Sequence, residues 1–184
     1  MTGKFHRLLH ALTHPLVGAI GFGLLIWMLL PRVVVVIDDD FGYLRSVVET
    51  CQRGRPWTYE WLTPWAASMS ILAATLFKIT GRFSFAIHFS LALAASLGFL
   101  GLTRYLACNG ISRGKACLIA FLLLGSPTVL FMLVMFTSVA LYLGCLWMCV
   151  HFARQKRWSW FYLFWFIGLA ARQSAVVWLA LPGW

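Results

Sequence analysis

Along this chain the polar side chains are few and cluster between long apolar runs, at about residues 8–30, 62–77, 83–103, 116–153, 158–171 and 174 onward. Inside a bilayer the backbone must satisfy its own hydrogen bonds, so each spanning run is expected to be a helix of about 20 residues. The run 116–153 carries no Asp, Glu, Lys or Arg and is too long for one crossing. Gly125-Ser126-Pro127 interrupts it, because proline removes a helix donor and restrains the residue before it. Two helices are expected there, about 114–130 and 136–153, joined by a tight turn.

The run 62–77 decides the topology. If it crossed, the basic clusters Arg104/Arg113/Lys115 and Arg154/Lys156/Arg157 would fall outside the cell. If it lies along the outer interface, both fall inside with Lys4 and Arg7, as the positive-inside rule prefers. It opens after Thr63-Pro64-Trp65, contains Ser68 and Ser70 and ends at Lys78, and Trp57, Trp61 and Trp65 form an aromatic stripe beside it. An interfacial helix is expected, within a long outer loop at about 31–82. The fold expected is all-α: one transmembrane module over residues 1–184, a multi-span helix bundle with interfacial helices in its first outer loop and a cytoplasmic N-terminus.

Composition agrees. Hydrophobic residues make up 61% and charged residues 11% of 184, against about 45–50% and 25% in soluble domains. That excludes a soluble enzyme, a disulfide scaffold and a disordered tail. The net charge of +10 comes from 15 Lys+Arg against 5 Asp+Glu. The basic residues flank apolar runs and form no contiguous patch, so they mark topology and not a nucleic-acid partner. The basic head before Leu16–Leu30 reads as an uncleaved signal anchor. His6, His10 and His14 share a helix face and are read as the cationic side of an interfacial helix, not as metal ligands. Cys117, Cys145 and Cys149 lie in apolar runs and read as small buried hydrophobes.

Every acid falls in the outer loop: Asp38, Asp39, Asp40, Glu49 and Glu60. A short amphipathic helix follows the triplet, with Leu44, Val47, Val48 and Cys51 at helical spacing, up to Arg53-Gly54. One carboxylate there would cap a helix. Three in a row at a membrane boundary exceed that need. They admit a divalent-cation site or a general base acting on an acceptor hydroxyl or amine.

Asp39-Asp40 with Tyr43 after the first span resembles the acid pair and aromatics of the GT-C class of integral-membrane glycosyltransferases. The likeness is to the bacterial branch related to protein mannosyltransferases and aminoarabinose transferases. Pro64 through Phe77-Lys78-Ile79-Thr80-Gly81 is similar to that family's Pro-led helix. Phe85-Ala86-Ile87-His88 resembles its signature at the next span, with histidine for arginine. Arg172-Gln173 lies where relatives place a polar pair. The resemblance covers about residues 12–184 and rests on order and spacing. The chain departs from it at Phe136-Thr137-Ser138-Val139, with serine where relatives usually carry a second Asp. Because relatives are far longer and Leu181-Pro182-Gly183-Trp184 falls within an apolar run, the sequence is expected to be the N-terminal part of a larger enzyme.

The resemblance implies inverting transfer of a sugar from a polyprenyl-phosphate donor to a glycan, lipid or protein acceptor at the outer face of the bacterial inner membrane. It makes Asp39 the general base, with Asp40 positioning the acceptor or sharing a divalent cation with Asp39. It brings Tyr43, Arg82, His88 and Arg172 in as substrate contacts. Arg45, Arg53 and Arg55 are further candidates for the donor phosphate. Two other readings stay open. One is a non-catalytic truncated remnant or scaffold. The other is a small transporter, disfavoured because no span carries a mid-membrane carboxylate.

Overall fold

The computed structural model describes residues 14–30, 40–58, 67–134 and 138–183, with the side chains of Asp40, Gln173 and residues 180–183 left aside. Asp38, Asp39, Glu60, His6, His10, Pro64 and two members of the tryptophan stripe, Trp61 and Trp65, lie outside the described residues. The described elements are all helical: α1 (Pro15–Leu29), α2 (Asp40–Arg53), α3 (Ala67–Thr80), α4 (Phe83–Cys108), α5 (Arg113–Leu124), α6 (Pro127–Val134), α7 (Ser138–Arg154), α8 (Trp158–Leu169) and a 3-10 segment, Gln173–Gly183.

α4 is the axis of the molecule. Its 26 residues reach about 39 Å at 1.5 Å per residue, and it is the one described helix both long and apolar enough to cross a membrane unaided. Its two ends set a direction: the Phe83 end is called upper and the Cys108 end lower. α7 packs on it through small residues. A methyl group added at Gly144 would meet the Ala94 carbonyl at 2.9 Å, one at Gly98 would meet the Gly144 Cα at 3.6 Å, and one at Gly101 would meet the Met148 nitrogen at 2.8 Å. Numbers rise together along the contact, so the two helices are parallel. Backbone approach of this kind is what apolar helices use where no hydrophobic force joins them. α1 runs the other way along α4, with Phe22 stacked on Phe99 and Trp27 edge-on to Phe85 and Phe89. It starts at Pro15, whose missing N–H costs nothing in a first turn, and His14 Nδ1 accepts the Leu16 N–H at 3.3 Å.

The expected helix over 114–130 is two helices. α5 stops at Leu124, and α6 leaves at 75°. Pro127 has no N–H for the Leu123 carbonyl, which instead accepts the Ser126 hydroxyl at 2.8 Å. The terminal run folds back as a 3-10 stretch. Its Trp178 ring lies against Gly168, and Ala175 accepts the Trp165 indole N–H at 3.0 Å.

The outer surface inverts the pattern of a water-soluble fold. Leu16, Ile20, Leu24 and Met28 of α1 face outward, Met28 at 81% exposure, as do Leu118, Leu122 and Phe131, and Tyr162 and Phe166 on α8. Apart from Arg113 and Lys115 at the start of α5, the exposed and the buried faces of α1, α5 and α8 are both largely apolar.

Candidate functional site

The acidic loop enters the fold through α2. Its C-terminal end is defined by Gly54 at φ +63° and a two-way clasp in which the Trp57 N–H donates to Thr50 Oγ1 at 3.0 Å and that hydroxyl donates to the Trp57 carbonyl at 3.1 Å. The helix is amphipathic as expected: Phe41, Arg45 and Gln52 share an exposed face with half-buried Val48, while Gly42, Tyr43, Leu44, Ser46, Val47, Glu49 and Thr50 are buried. Small and hydroxyl side chains at 42, 46 and 50 let neighbours pack closely on the buried side. The Ser46 hydroxyl is satisfied within the helix, donating to the Gly42 carbonyl at 2.7 Å.

Tyr43 is the hinge of the arrangement. It is 8% exposed, and its hydroxyl shares a 3.0 Å hydrogen bond with Ser138 Oγ, the first residue of α7 and itself 2% exposed. The Tyr43 carbonyl accepts a long bond, 3.5 Å, from the buried Ser70 hydroxyl of α3. Three elements far apart in sequence thus meet on one tyrosine. The register of α7 on α4, Gly144 beside Gly98, places Ser138 level with Ala92, about 13 Å below the start of α4 at 1.5 Å per residue.

Direction follows from the contacts. α3 climbs to the upper end, where Gly81 at φ +66° turns the chain into α4 and Phe77 packs edge-on to Phe83. Tyr43 meets Ser70 low on α3, whereas Thr50 and Cys51 share a cavity of about 210 Å³ with Ile71, Ala74, Thr75 and Lys78 higher up. α2 therefore climbs beside α3, and Asp40 begins it at the foot of the recess, not at its rim. A helix start leaves unsatisfied backbone N–H groups at the Asp40 end of α2.

The cations sort into two groups. Glu49 is held between Arg45 at 2.7 Å and Arg53 at 3.0 Å, and Arg53 also lies 5.1 Å over the Trp57 ring. The Arg53 hydrogen bond, with both guanidinium charges, holds the Glu49 carboxyl below its ordinary range against the opposing effect of partial burial. Arg55, Arg82 and Arg172 form no ion pair among the described residues. Arg55 lines the 210 Å³ cavity with Lys78, a lysine that sequence reasoning used only as a helix end. Arg82 stands exposed before the first turn of α4. Arg172 is exposed near the start of α3, since the Ala170 carbonyl two residues earlier accepts the Ser68 N–H at 3.1 Å.

His88 does not join the cluster. It is half-buried on the α1 side of α4, edge-on to Trp27 at 6.2 Å, beside an apolar groove of about 170 Å³ lined by Gly23, Trp27, Phe89 and Ala92. Ser70 was visible in the sequence only as a polar interruption, and Ser138 only as a departure from a pattern. Nothing local in either stretch announces their meeting on Tyr43. Among the described residues no group of three or more His, Cys, Asp or Glu could hold a metal, and the side chains of Asp39 and Asp40 lie outside them. No protein-family model, curated protein or solved structure matches the chain.

Proposed function

We propose that this chain is the membrane module of an inverting glycosyltransferase that moves a sugar from a polyprenyl-phosphate donor to an acceptor at the outer face of a bacterial inner membrane. In this reading the N-terminus is cytoplasmic, α1, α4, the bent α5–α6 pair, α7 and α8 lie in the bilayer, and α2 and α3 line a recess open to the outside. The outward apolar faces of α1, α5 and α8 support the membrane placement. The observation that carries the functional reading is the Tyr43–Ser138 bond. It holds α2, the helix that Asp40 begins, beside the start of α7, and in this reading a lipid-carried sugar and its acceptor meet there, away from bulk water.

Asp39 acts as the base, taking the acceptor's proton as the acceptor oxygen or nitrogen bonds to the anomeric carbon from the face opposite the phosphate. The carbon–oxygen bond to the donor phosphate breaks, and the polyprenyl phosphate leaves with the electron pair. Asp40 positions the acceptor. A divalent cation would fall to Asp39 and Asp40, where it would neutralise the leaving phosphate. Arg172, near the start of α3 and so on the same level as the start of α2, is the cation for that phosphate in this reading. Arg55 and Lys78 lie about 20 Å up α2 from Asp40 at 1.5 Å per residue, and Arg82 stands at the upper end of α4. The apolar groove beside Trp27 suits part of an isoprenoid chain.

The test is transfer from a polyprenyl-phosphate sugar in proteoliposomes. Asp39→Asn is expected to lose at least about 100-fold, the usual range for removing a general base, and unchanged transfer in that variant removes Asp39 as the base. A non-catalytic scaffold is the second reading, favoured by Ser138 standing where the resembled enzymes carry a carboxylate. It wins if the unmodified chain transfers from no such donor while still binding one.

A further inference from the structure

At the lower end of α4, about 39 Å from its upper end at 1.5 Å per residue, the helix ends enclose a second and larger cavity of about 530 Å³. That size falls within the range of small-molecule sites, about 300–1,000 Å³. Its wall includes Arg104 near the end of α4, Arg113 at the start of α5 and Arg157 before α8, together with His14, His151 and Gln155. No carboxylate is among the lining residues, and Glu49, the one acid whose side chain is described, is held by Arg45 and Arg53 on α2.

Charge and backbone agree on the sign of the missing partner. α1, α5 and α8 all begin here, at Pro15, Arg113 and Trp158, so their unsatisfied N–H groups and dipole ends add positive potential. The ends of α4 and α7 contribute the opposite sign, but three guanidiniums outweigh them. Ser112 and Arg157, the residues preceding α5 and α8, make no side-chain capping bond. The lower wall is already organised: Cys108 Sγ takes a hydrogen bond from Gln155 Nε2 at 3.5 Å and lies 3.8 Å from His151 Nδ1. The turn into α8 keeps Lys156 at φ +57°, a backbone conformation that disfavours any side chain, and so brings Arg157 to the wall. Exposed Trp158 and Trp160 follow at the same end, apolar surface of the kind that sits at a headgroup boundary.

We propose that this cavity binds a phosphate group, with Arg113 and Arg157 as the forked donors that grip its oxygens. Guanidinium forks match phosphate geometry, and the helix starts supply further donors. The phosphate could be a lipid headgroup or a free ion, and the experiment separates them. The full chain is placed in nanodiscs of phosphatidylcholine, with or without one-fifth phosphatidylglycerol, and its melting temperature is read with and without 10 mM inorganic phosphate. Phosphatidylglycerol enrichment around the protein is read in parallel by native mass spectrometry. Two double variants remove the same charge: Arg113→Gln/Arg157→Gln in the cavity wall, and Lys115→Gln/Arg154→Gln outside it.

The expected result is at least a tenfold preference for phosphatidylglycerol over phosphatidylcholine, or a melting increase with inorganic phosphate, lost in the cavity variant and kept in the control. A response to phosphatidylglycerol alone makes the ligand a lipid headgroup, and a response to inorganic phosphate makes it the ion. Both uphold the site. Equal loss in the two variants reduces the effect to general surface charge and overturns the proposal. So does a cavity variant that behaves like the unmodified chain, or no response to either probe.

Discussion

Changing Tyr43 to Phe removes one oxygen and leaves the ring. Because Tyr43 is 8% exposed and Ser138 2%, water cannot readily replace the lost partner, and Ser138 Oγ is stranded. Stranding a buried hydroxyl costs about 1–3 kcal/mol in soluble folds, whereas interhelical hydrogen bonds between apolar helices average about 0.6 and reach about 1.7 kcal/mol. Both oxygens sit where three elements meet, so a coupling near the upper part of that membrane range, about 1 kcal/mol, is expected. The assay is a double-mutant cycle: Tyr43→Phe, Ser138→Ala and the pair, with unfolding free energy measured in mixed micelles. Each single variant should destabilise, and the double should cost less than the two singles added. Coupling below about 0.3 kcal/mol, within the additivity of independent sites, refutes the bond and with it the placement of Asp40 at the foot of the recess. The same variants read function: if the bond positions the acidic segment, Tyr43→Phe lowers transfer while donor binding holds.

Glu49 gives a pH test. Its folded carboxyl titrates below the ordinary value of 4.5, chiefly because of the Arg53 hydrogen bond. Its stabilisation is therefore complete above that value and lost as pH falls through the lowered folded one. The difference in unfolding midpoint between the unmodified chain and Glu49→Gln should be constant from pH 7 to 5 and shrink below pH 4.5; a difference that grows on acidification contradicts the pairing. Gly144→Leu drives a side chain toward the Ala94 carbonyl, already 2.9 Å from the first added carbon. It should cost about 2 kcal/mol or more by overpacking, read as a lower melting temperature. Lys156→Gly relieves the left-handed backbone at φ +57° and should stabilise by about 1 kcal/mol, read as a higher melting temperature; an unchanged or lower one contradicts the strain.

The helical fold was legible because apolar runs of this length leave the backbone no other partner. Pro127 announced its break by the chemistry of proline. The first helix was nevertheless expected to run on to about 130, because hydropathy is the same on both sides of Gly125 and nothing in it shows that Pro127–Val134 leaves as a helix of its own at 75°. α2 keeps the amphipathic pattern read from Leu44, Val47, Val48 and Cys51, with Phe41, Arg45 and Gln52 facing out. Small hydroxyl residues such as Ser46 and Thr50 carry no sign of being buried until a neighbour is placed. Ser70 and Ser138 are the same case at longer range, since their meeting on Tyr43 depends on helix register between segments scores of residues apart.

Ser138 and Tyr43 lie level with Ala92 of α4, and the cavity of Arg104, Arg113 and Arg157 lies below them, Arg104 being about 18 Å further down that helix at 1.5 Å per residue. In salt water charges are screened beyond about 8 Å, so no direct field links the two sites through solvent. Any coupling must pass through packing, and the route available is the Gly98–Gly144 contact, which fixes α7 against α4 and so ties Ser138 above to His151 below. Arg113→Gln/Arg157→Gln is therefore expected to leave transfer at the upper recess unchanged, because neither arginine lies on α7. Gly144→Leu should disturb both ends at once, weakening the Tyr43–Ser138 bond and the phosphate response together. A Gly144 variant that alters one end and spares the other would show that α7 does not move as one rod, and the register placing Ser138 level with Ala92 would lose its warrant.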